Sequence, residues 1–226
     1  MLIIGHRGCA YEPENTLRSF EKAMGLGIDM LEFDVHTTKD NQLVIIHDPK
    51  LNRTTNGIGY VKNYSVNELK HFDAGKGEKI PLLNELYDLA YGYAELNLEI
   101  KCNGIEELVV EFLTKRNAVE NTIISSFNHQ ALIKIKQLCP NVRTGLLVYG
   151  VPIDITDLLT KTKAFSYHPD NEFILSEHIK EAHTAGCKIY AYTVNDIPQA
   201  EYLYSYGIDG LITDYPDKID EAIKTL

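Results

Sequence analysis

The stretch that decides the fold runs from His6 to Asp48 and reads HRGCAYEPENTLRSFEKAMGLGIDMLEFDVHTTKDNQLVIIHD. It holds two histidines beside charged residues, two acids two positions apart and one amphipathic helical segment. His6 and His47 each follow an apolar run of the kind that forms buried strands. Because polar residues at strand ends commonly build active sites, we expect this segment to carry chemistry as well as structure.

Outward from this stretch, short strand-like runs alternate with amphipathic helical segments along the whole chain. The predicted strands cover residues 2–5, 29–35, 43–46, 95–100, 122–125, 143–148, 164–167, 188–193 and 210–212. The predicted helices cover residues 15–25, 83–90, 104–115, 128–138, 155–161, 177–185, 198–204 and those after 216. Eight βα pairs in 226 residues predict a TIM (β/α)8 barrel. An open dinucleotide-binding sheet is less favoured, since no G-x-G-x-x-G follows a strand.

The barrel is predicted to form a single domain over residues 1–226, with a small insertion after the second βα region at about residues 51–79. This polar, glycine-containing stretch is longer than most βα connections. Long loops in compact domains often serve function, so we interpret the insertion as a cover over the active face.

Composition excludes several classes of function. A net charge of −10 argues against extended nucleic-acid binding, which needs a basic surface. The N-terminal run Met1–Gly5 lacks a basic region and is predicted to be a strand rather than a signal peptide, and no apolar run is long enough for an integral membrane segment. We therefore expect a cytoplasmic protein. The four cysteines show no zinc-type spacing and are predicted to be free thiols.

Three carboxylates are predicted to bind a metal ion. Glu32 and Asp34 lie two apart on a predicted strand, so their side chains share a face, and Glu99 lies on another strand on one face with Lys101. A cluster of carboxylate oxygens favours one hard divalent cation, Mg²⁺ or Ca²⁺ with Mn²⁺ possible, over zinc. The alternatives are exposed polar positions on the strand and an internal ion pair between Glu99 and Lys101.

His6 and His47 are predicted to transfer protons. Cleavage of a phosphate ester needs one group to deprotonate the attacking hydroxyl and one to protonate the leaving alkoxide, and two histidines can do both near neutral pH. Arg7 and Lys101 would leave the site with a small positive charge once a divalent cation is bound, which suits a singly charged phosphodiester. For Arg7 the alternative is a structural salt bridge.

The chain resembles the glycerophosphodiester phosphodiesterase family, and the resemblance spans nearly its full length. It rests on His6-Arg7-Gly8, Pro13-Glu14-Asn15-Thr16, Glu32-x-Asp34-Val35, Thr38-Lys39-Asp40, His47-Asp48, Arg53-Thr54-Thr55-x-Gly57, Asp73-Ala74-Gly75, Ile80-Pro81-x-Leu83, Asn97-Leu98-Glu99-Ile100-Lys101, Thr193-Val194-Asn195 and Gly207-Ile208-Asp209-Gly210-Leu211-Ile212-Thr213-Asp214-Tyr215-Pro216.

The resemblance implies hydrolysis of glycerophosphodiesters to an alcohol and sn-glycerol 3-phosphate by a TIM-type barrel. It implies Glu32, Asp34 and Glu99 as metal ligands, His6 and His47 as the acid/base pair, and Arg7 and Lys101 as phosphate contacts. Tyr192 replaces a tryptophan that the family often has before Thr-Val-Asn, which affects the expected pocket shape.

Further residues are predicted to contact substrate or line its pocket. They are Asn15, His36, Phe72, Tyr167, His168 and Tyr192. His71, His129, His178 and His183 are interpreted as surface or helix positions. Two alternative functions stay open: a phospholipase D-like enzyme acting on lysophospholipid or sphingolipid head groups, and a non-catalytic phosphodiester-binding barrel.

Overall fold

Eight parallel strands close into a barrel with helices on its outside, in a computed structural model that describes residues 1–226. The barrel strands are β1 (Leu2–His6), β2 (Met30–Thr37), β4 (Glu95–Ile100), β5 (Thr122–Ser126), β6 (Arg143–Val148), β7 (Ser166–Pro169), β8 (Lys188–Ala191) and β9 (Gly210–Thr213). Each pairs with the next, and β1 pairs with both β2 and β9, which closes the ring.

The helices follow the strands in the order that the sequence predicts. They are α1 (Leu17–Gly25), α3 (Leu83–Ala90), α4 (Glu106–Lys115), α5 (His129–Leu138), α6 (Ile155–Thr162), α7 (Ser176–Thr184), α8 (Ile197–Ser205) and α9 (Pro216–Lys224). Most of the observed ends lie within two residues of the predicted ones, and the predicted barrel is confirmed. No helix has the length and apolar character needed to cross a membrane.

The short strand β3 (Leu43–Ile45) resolves whether the chain has eight barrel strands or nine. It runs antiparallel to β2 and pairs with Val35–Thr37, the part of β2 that extends beyond the end of β1. It therefore lies above the barrel rather than in its wall. The insertion follows it between β2 and α3 and contains a 3-10 turn (Val61–Asn63) and α2 (Val66–Leu69).

The alternation of side chains along β2 decides what faces the barrel interior. Leu31, Phe33 and Val35 point outward into a core of 42 buried residues shared with the helices. Glu32 and Asp34 consequently point inward, because successive side chains on a strand face opposite ways. The lower interior is filled by an apolar cluster of Ile4, Met30, Ile123, Tyr190 and Ile212. This packing leaves space only above it, at the carboxyl ends of the strands.

Candidate active site

A cavity of about 180 Å³ opens at the carboxyl ends of the barrel strands. Its lining includes seven of the ten residues that the sequence singled out as site residues: His6, Arg7, Glu32, His47, Glu99, Lys101 and Tyr192. They come from five different strands or strand ends, so only barrel closure brings them together.

The three predicted metal ligands form one buried cluster at this cavity. Strand register sets Asp34 of β2 beside Glu99 of β4, and one carboxylate oxygen from each of Glu32, Asp34 and Glu99 lies within 4.8 Å of the other two. Oδ1 of Asp34 is buried and has no hydrogen-bond partner. A group of hard oxygen donors with an unpartnered buried oxygen fits a divalent cation such as Mg²⁺ or Ca²⁺.

Two cations border the carboxylate cluster. Nε of Arg7 lies 3.3 Å from Oδ2 of Asp34, and the Arg7 backbone N–H donates to Oε2 of Glu32 at 3.0 Å. Nζ of Lys101 donates to Oε1 of Glu99 at 2.7 Å and lies 3.6 Å from Oδ1 of Asp34. Thus Glu99 and Lys101 do form an ion pair, and that pair is part of the carboxylate cluster rather than an alternative to it.

The electrostatics of the cluster favour further positive charge. Burial, together with the charges of Asp34 and Glu99, raises the pKa of Glu32 well above its usual value. Burial and the charge of Asp34 raise the pKa of Glu99 to about 7. Burial also opposes ionisation of Asp34, but Arg7 and Lys101 hold its pKa below the usual range. Two side-chain cations therefore do not compensate three neighbouring carboxylates.

His6 ends β1 and is oriented by an aspartate from the far end of the chain. Its Nδ1 lies 2.7 Å from Oδ1 of Asp214, which follows β9. Asn195 donates to the other carboxylate oxygen at 2.6 Å. Burial tends to raise the pKa of Asp214, yet the hydrogen bond and charge of His6 bring it below the usual value. An ionised Asp214 accepts the Nδ1 proton of His6 and leaves Nε2 available for proton transfer at the cavity.

His47 follows the β3 run and is held from both sides of its ring. Nζ of Lys101 lies 3.1 Å from Nε2, and Nδ1 lies 2.6 Å from Oδ1 of Asp48. Because an ammonium can only donate, Nε2 is an acceptor, and the proton of the neutral ring is on Nδ1 and donated to Asp48. Burial, reinforced by the positive charges of Arg7 and Lys101, lowers the pKa of His47 despite the nearby aspartates.

Arg53 of the insertion joins two parts of the site. Its guanidinium donates to both oxygens of Asp48, at 2.8 and 3.0 Å, and to both oxygens of Glu14, at 2.7 and 2.8 Å. Glu14 in turn accepts from Nη1 of Arg7 at 3.0 Å. The insertion thus positions His47 and Arg7 through a chain of ion pairs.

Two predicted substrate-binding residues, Asn15 and Phe72, do not line this cavity. Asn15 is buried and donates to Oδ2 of Asp34 at 2.8 Å, so it orients a carboxylate. Phe72 packs edge-on against Tyr64 at 5.4 Å in the small core of the insertion. Its ring is part of the packing that keeps the insertion folded.

Other residues predicted to line the pocket also occupy different positions. His36 is buried, with Nε2 3.1 Å from the backbone oxygen of His47. Tyr167 faces the outer core, and His168 is enclosed in the barrel interior, where burial lowers its pKa to about 3. His178, interpreted as a surface or helix position, is a buried residue of α7.

Several residues of the site were not assigned a role from sequence. Asp214 and Arg53 lie within motifs that carried the resemblance, which was the available signal. Asn97 and Ser125 line the cavity, and each has a buried side-chain oxygen without a partner. Unpartnered buried polar atoms in a cavity are suited to hydrogen bonding with a ligand.

The family model of the glycerophosphoryl diester phosphodiesterase family matches residues 6–218. A glycerophosphodiester phosphodiesterase of Caldanaerobacter subterraneus subsp. tengcongensis is 37% identical over 99% of this chain and 98% of its own length. A human lysophospholipase D is 27% identical over 97% of this chain and 85% of its own.

Solved structures agree with this similarity. An Oleispira antarctica phosphodiesterase, solved in complex with the product sn-glycerol-3-phosphate, superposes with a TM-score of 0.91 at 34% identity, covering 99% of this chain and 97% of that one. The match to the family model alone covers far more than half of the chain. The chain therefore belongs to the glycerophosphoryl diester phosphodiesterase family and is an enzyme of that class.

Proposed function

We propose that this enzyme hydrolyses glycerophosphodiesters to an alcohol and sn-glycerol 3-phosphate, using one divalent cation and a pair of histidines. The observation that carries the proposal is the meeting of two aspartate-oriented imidazoles, His6 and His47, at the cavity that also holds the carboxylate cluster. The product bound to the Oleispira enzyme supports the choice of substrate.

Glu32, Asp34 and Glu99 would hold the cation, Mg²⁺ or Ca²⁺ and by the same donor chemistry Mn²⁺. When bound, it would supply Lewis-acid polarisation of a non-bridging phosphate oxygen. Arg7 and Lys101 lie at the same cavity and would bind the diester by charge-assisted hydrogen bonds. Two side-chain cations and one divalent cation exceed three carboxylates by one charge, which matches a singly charged diester.

His47 is suited to accept the proton of the attacking hydroxyl, from water or from the glycerol arm. Its Nε2 carries no proton and accepts a hydrogen bond from Lys101. Its Nδ1 proton is donated to Asp48. His6 is suited to protonate the departing alkoxide, since Asp214 accepts from Nδ1 and would stabilise an imidazolium ring. Each transfer is expected to contribute about 10²–10⁴ in rate.

The test is release of glycerol 3-phosphate from glycerophosphocholine. Activity should be lost on chelation and return with Mg²⁺, Ca²⁺ or Mn²⁺. His6→Ala and His47→Ala should each lower kcat by about a hundredfold or more without loss of fold. His183→Ala is a matched control, because its ring lies 2.8 Å from Asp209 outside the cavity. Near-normal rates in both site variants would contradict the roles given to the histidines.

The phospholipase D-like alternative concerns the same chemistry on a larger substrate, a lysophospholipid or sphingolipid. Comparing glycerophosphocholine with lysophosphatidylcholine separates the two, since only the first yields glycerol 3-phosphate. The insertion does not favour the larger substrate, because its apolar residues are largely packed in their own core.

We further propose that the chain acts as one domain in the cytoplasm. The first strand pairs with the last, so the barrel needs both ends of the chain. The N-terminal apolar run is a wall strand of that barrel, as the sequence predicts.

A further inference from the structure

The substrate cavity has two chemically different walls. The ends of β1 to β4 contribute its charged and titratable groups, including His6, Glu32 and Lys101. The other wall is chiefly apolar and consists of Phe127, Leu147 and Tyr192, at the ends of β5, β6 and β8, and it meets the charged wall where Nζ of Lys101 lies 5.9 Å from the centre of the Phe127 ring. A phosphodiester has two arms, so these walls can distinguish one arm from the other.

The apolar wall continues out of the cavity onto the surface. The rings of Phe127 and Tyr192 meet edge-on with centroids 6.0 Å apart, and the Tyr192 hydroxyl donates to the backbone oxygen of Val148 at 3.1 Å. The next residue, Tyr149, meets the ring of Phe173 at 5.1 Å. The Val148 backbone thus links the ring pair at the cavity to the ring pair in the loops after β6 and β7.

The loops at the end of this path expose an unusual amount of apolar surface. Tyr149 is 68% exposed and Ile153 is fully exposed. With four further exposed apolar residues of the loops after β5, β6 and β7 they make up what we call the apolar platform: Phe127, Tyr149, Val151, Ile153, Phe173 and Leu175, of which Tyr149 and Phe173 are in ring contact. Exposed apolar surface beside a cavity commonly marks a binding surface.

The charges around the apolar platform restrict what can cover it. Residues 148–154 and 170–175 contain three acids, Asp154, Asp170 and Glu172, and no lysine or arginine. An anionic lipid surface attracts basic residues and is repelled by acidic ones. Because the platform shares Phe127 with the substrate cavity, an occupant that enters from the cavity fits better than a membrane.

We propose that the apolar platform binds a hydrocarbon chain on the alcohol arm of the diester, which makes glycerophosphodiesters of long-chain alcohols a substrate class of this enzyme. The inference rests on the proposed function. The glycerol arm carries hydroxyl groups that need polar partners, and Asn97 and Ser125 offer unpartnered oxygens in the cavity. The alcohol arm is then left facing Phe127 and Tyr192.

The test is a series of glycerophosphodiesters with ethyl, butyl and octyl alcohol arms, assayed below the concentration at which micelles form. We expect kcat/KM to rise about twofold per added methylene. This is half of the factor expected for a fully buried methylene, because the platform is open to water on one side. A rate that does not depend on chain length would overturn the inference.

The double variant Tyr149→Ser with Ile153→Ser should lose this dependence and keep wild-type turnover of the ethyl diester. The matched control is Tyr91→Ser with Tyr93→Ser. These tyrosines are 69% and 80% exposed but lie before β4, at the opposite end of the barrel. If the platform variant keeps the dependence on chain length, the hydrocarbon binds elsewhere and the assignment is overturned.

Two further measurements separate the inference from its rivals. Calorimetric binding of the octyl and ethyl diesters reports on the platform even if no diester is hydrolysed, so failure of the proposed function remains distinguishable. Equal affinities would overturn the inference. Sedimentation of the protein with phosphatidylcholine vesicles is the second measurement. If the wild type sediments with them and the platform variant does not, a lipid surface is the occupant and the inference is overturned.

Discussion

Replacing Asp214 with asparagine tests how the barrel orients His6. The aspartate accepts from His6 on one oxygen and from Asn195 on the other, at 2.7 and 2.6 Å. An amide has only one oxygen, so Asp214→Asn must either set its NH₂ against the donating amide of Asn195 or turn it toward Nδ1 of His6. The second arrangement places a donor against Nδ1, so the ring cannot carry a proton on both nitrogens and loses the imidazolium form that His6 would need as an acid.

The size of the effect follows from the hydrogen bond that is lost. Hydrogen bonds to charged groups contribute about 1.5–3 kcal/mol. Since about 1.4 kcal/mol corresponds to a factor of ten in rate, we expect Asp214→Asn to lower kcat by about 10–150-fold. KM should change little, because His6 rather than Asp214 faces the main cavity.

The assay is steady-state release of glycerol 3-phosphate from glycerophosphocholine at saturating divalent cation, with the thermal midpoint measured in parallel. Asp209→Asn is the matched control, since Asp209 lies 2.8 Å from His183 in a similar pair outside the cavity. A variant at Asp214 with near-wild-type kcat and an intact fold would refute the orientation argument. A rise in KM alone would show that the aspartate shapes binding rather than proton transfer.

Three further predictions concern stability. Divalent cation at a hundredfold excess over Kd should stabilise the fold by about 2.7 kcal/mol, and Glu99→Gln should reduce the resulting thermal shift. Gly145→Ala, whose new Cβ would meet a buried imidazole nitrogen at 2.6 Å, should lower the free energy of unfolding by about 1–3 kcal/mol, whereas Gly25→Ala meets nothing within 4 Å and should not destabilise. Burial raises the pKa of Asp209, but hydrogen bonds such as that from Lys188 lower it overall, so its stabilisation is present above about pH 4 and lost in acid. Urea unfolding at pH 7 and pH 3 should show that Asp209→Asn destabilises less at pH 3 than at pH 7.

The sequence by itself determined the barrel and the side chains that face its interior. Strand and helix periodicities are local properties of the chain, so the alternation of βα units could be recognised without tertiary contacts. The same local geometry put Glu32 and Asp34 on one face of a strand, and Glu99 with Lys101 on one face of another. These residues do meet at one cavity.

Only the tertiary structure decided which partners hold those side chains. The pairing of His6 with Asp214 spans 208 positions of sequence, and it exists because β1 lies beside β9 in the closed barrel. Arg53 reaches Asp48 and Glu14 only because the insertion folds back over the strand ends.

The same distinction explains why Asn15 and Phe72 lie outside the cavity. Residue type suggested substrate contacts for both, but contacts depend on where the backbone carries a side chain after packing. Asn15 supports Asp34 from behind, and Phe72 packs within the insertion. Local periodicity determines the direction in which a side chain points from its own strand or helix. What it meets there depends on the register and closure of all eight barrel strands, which no local stretch of sequence encodes.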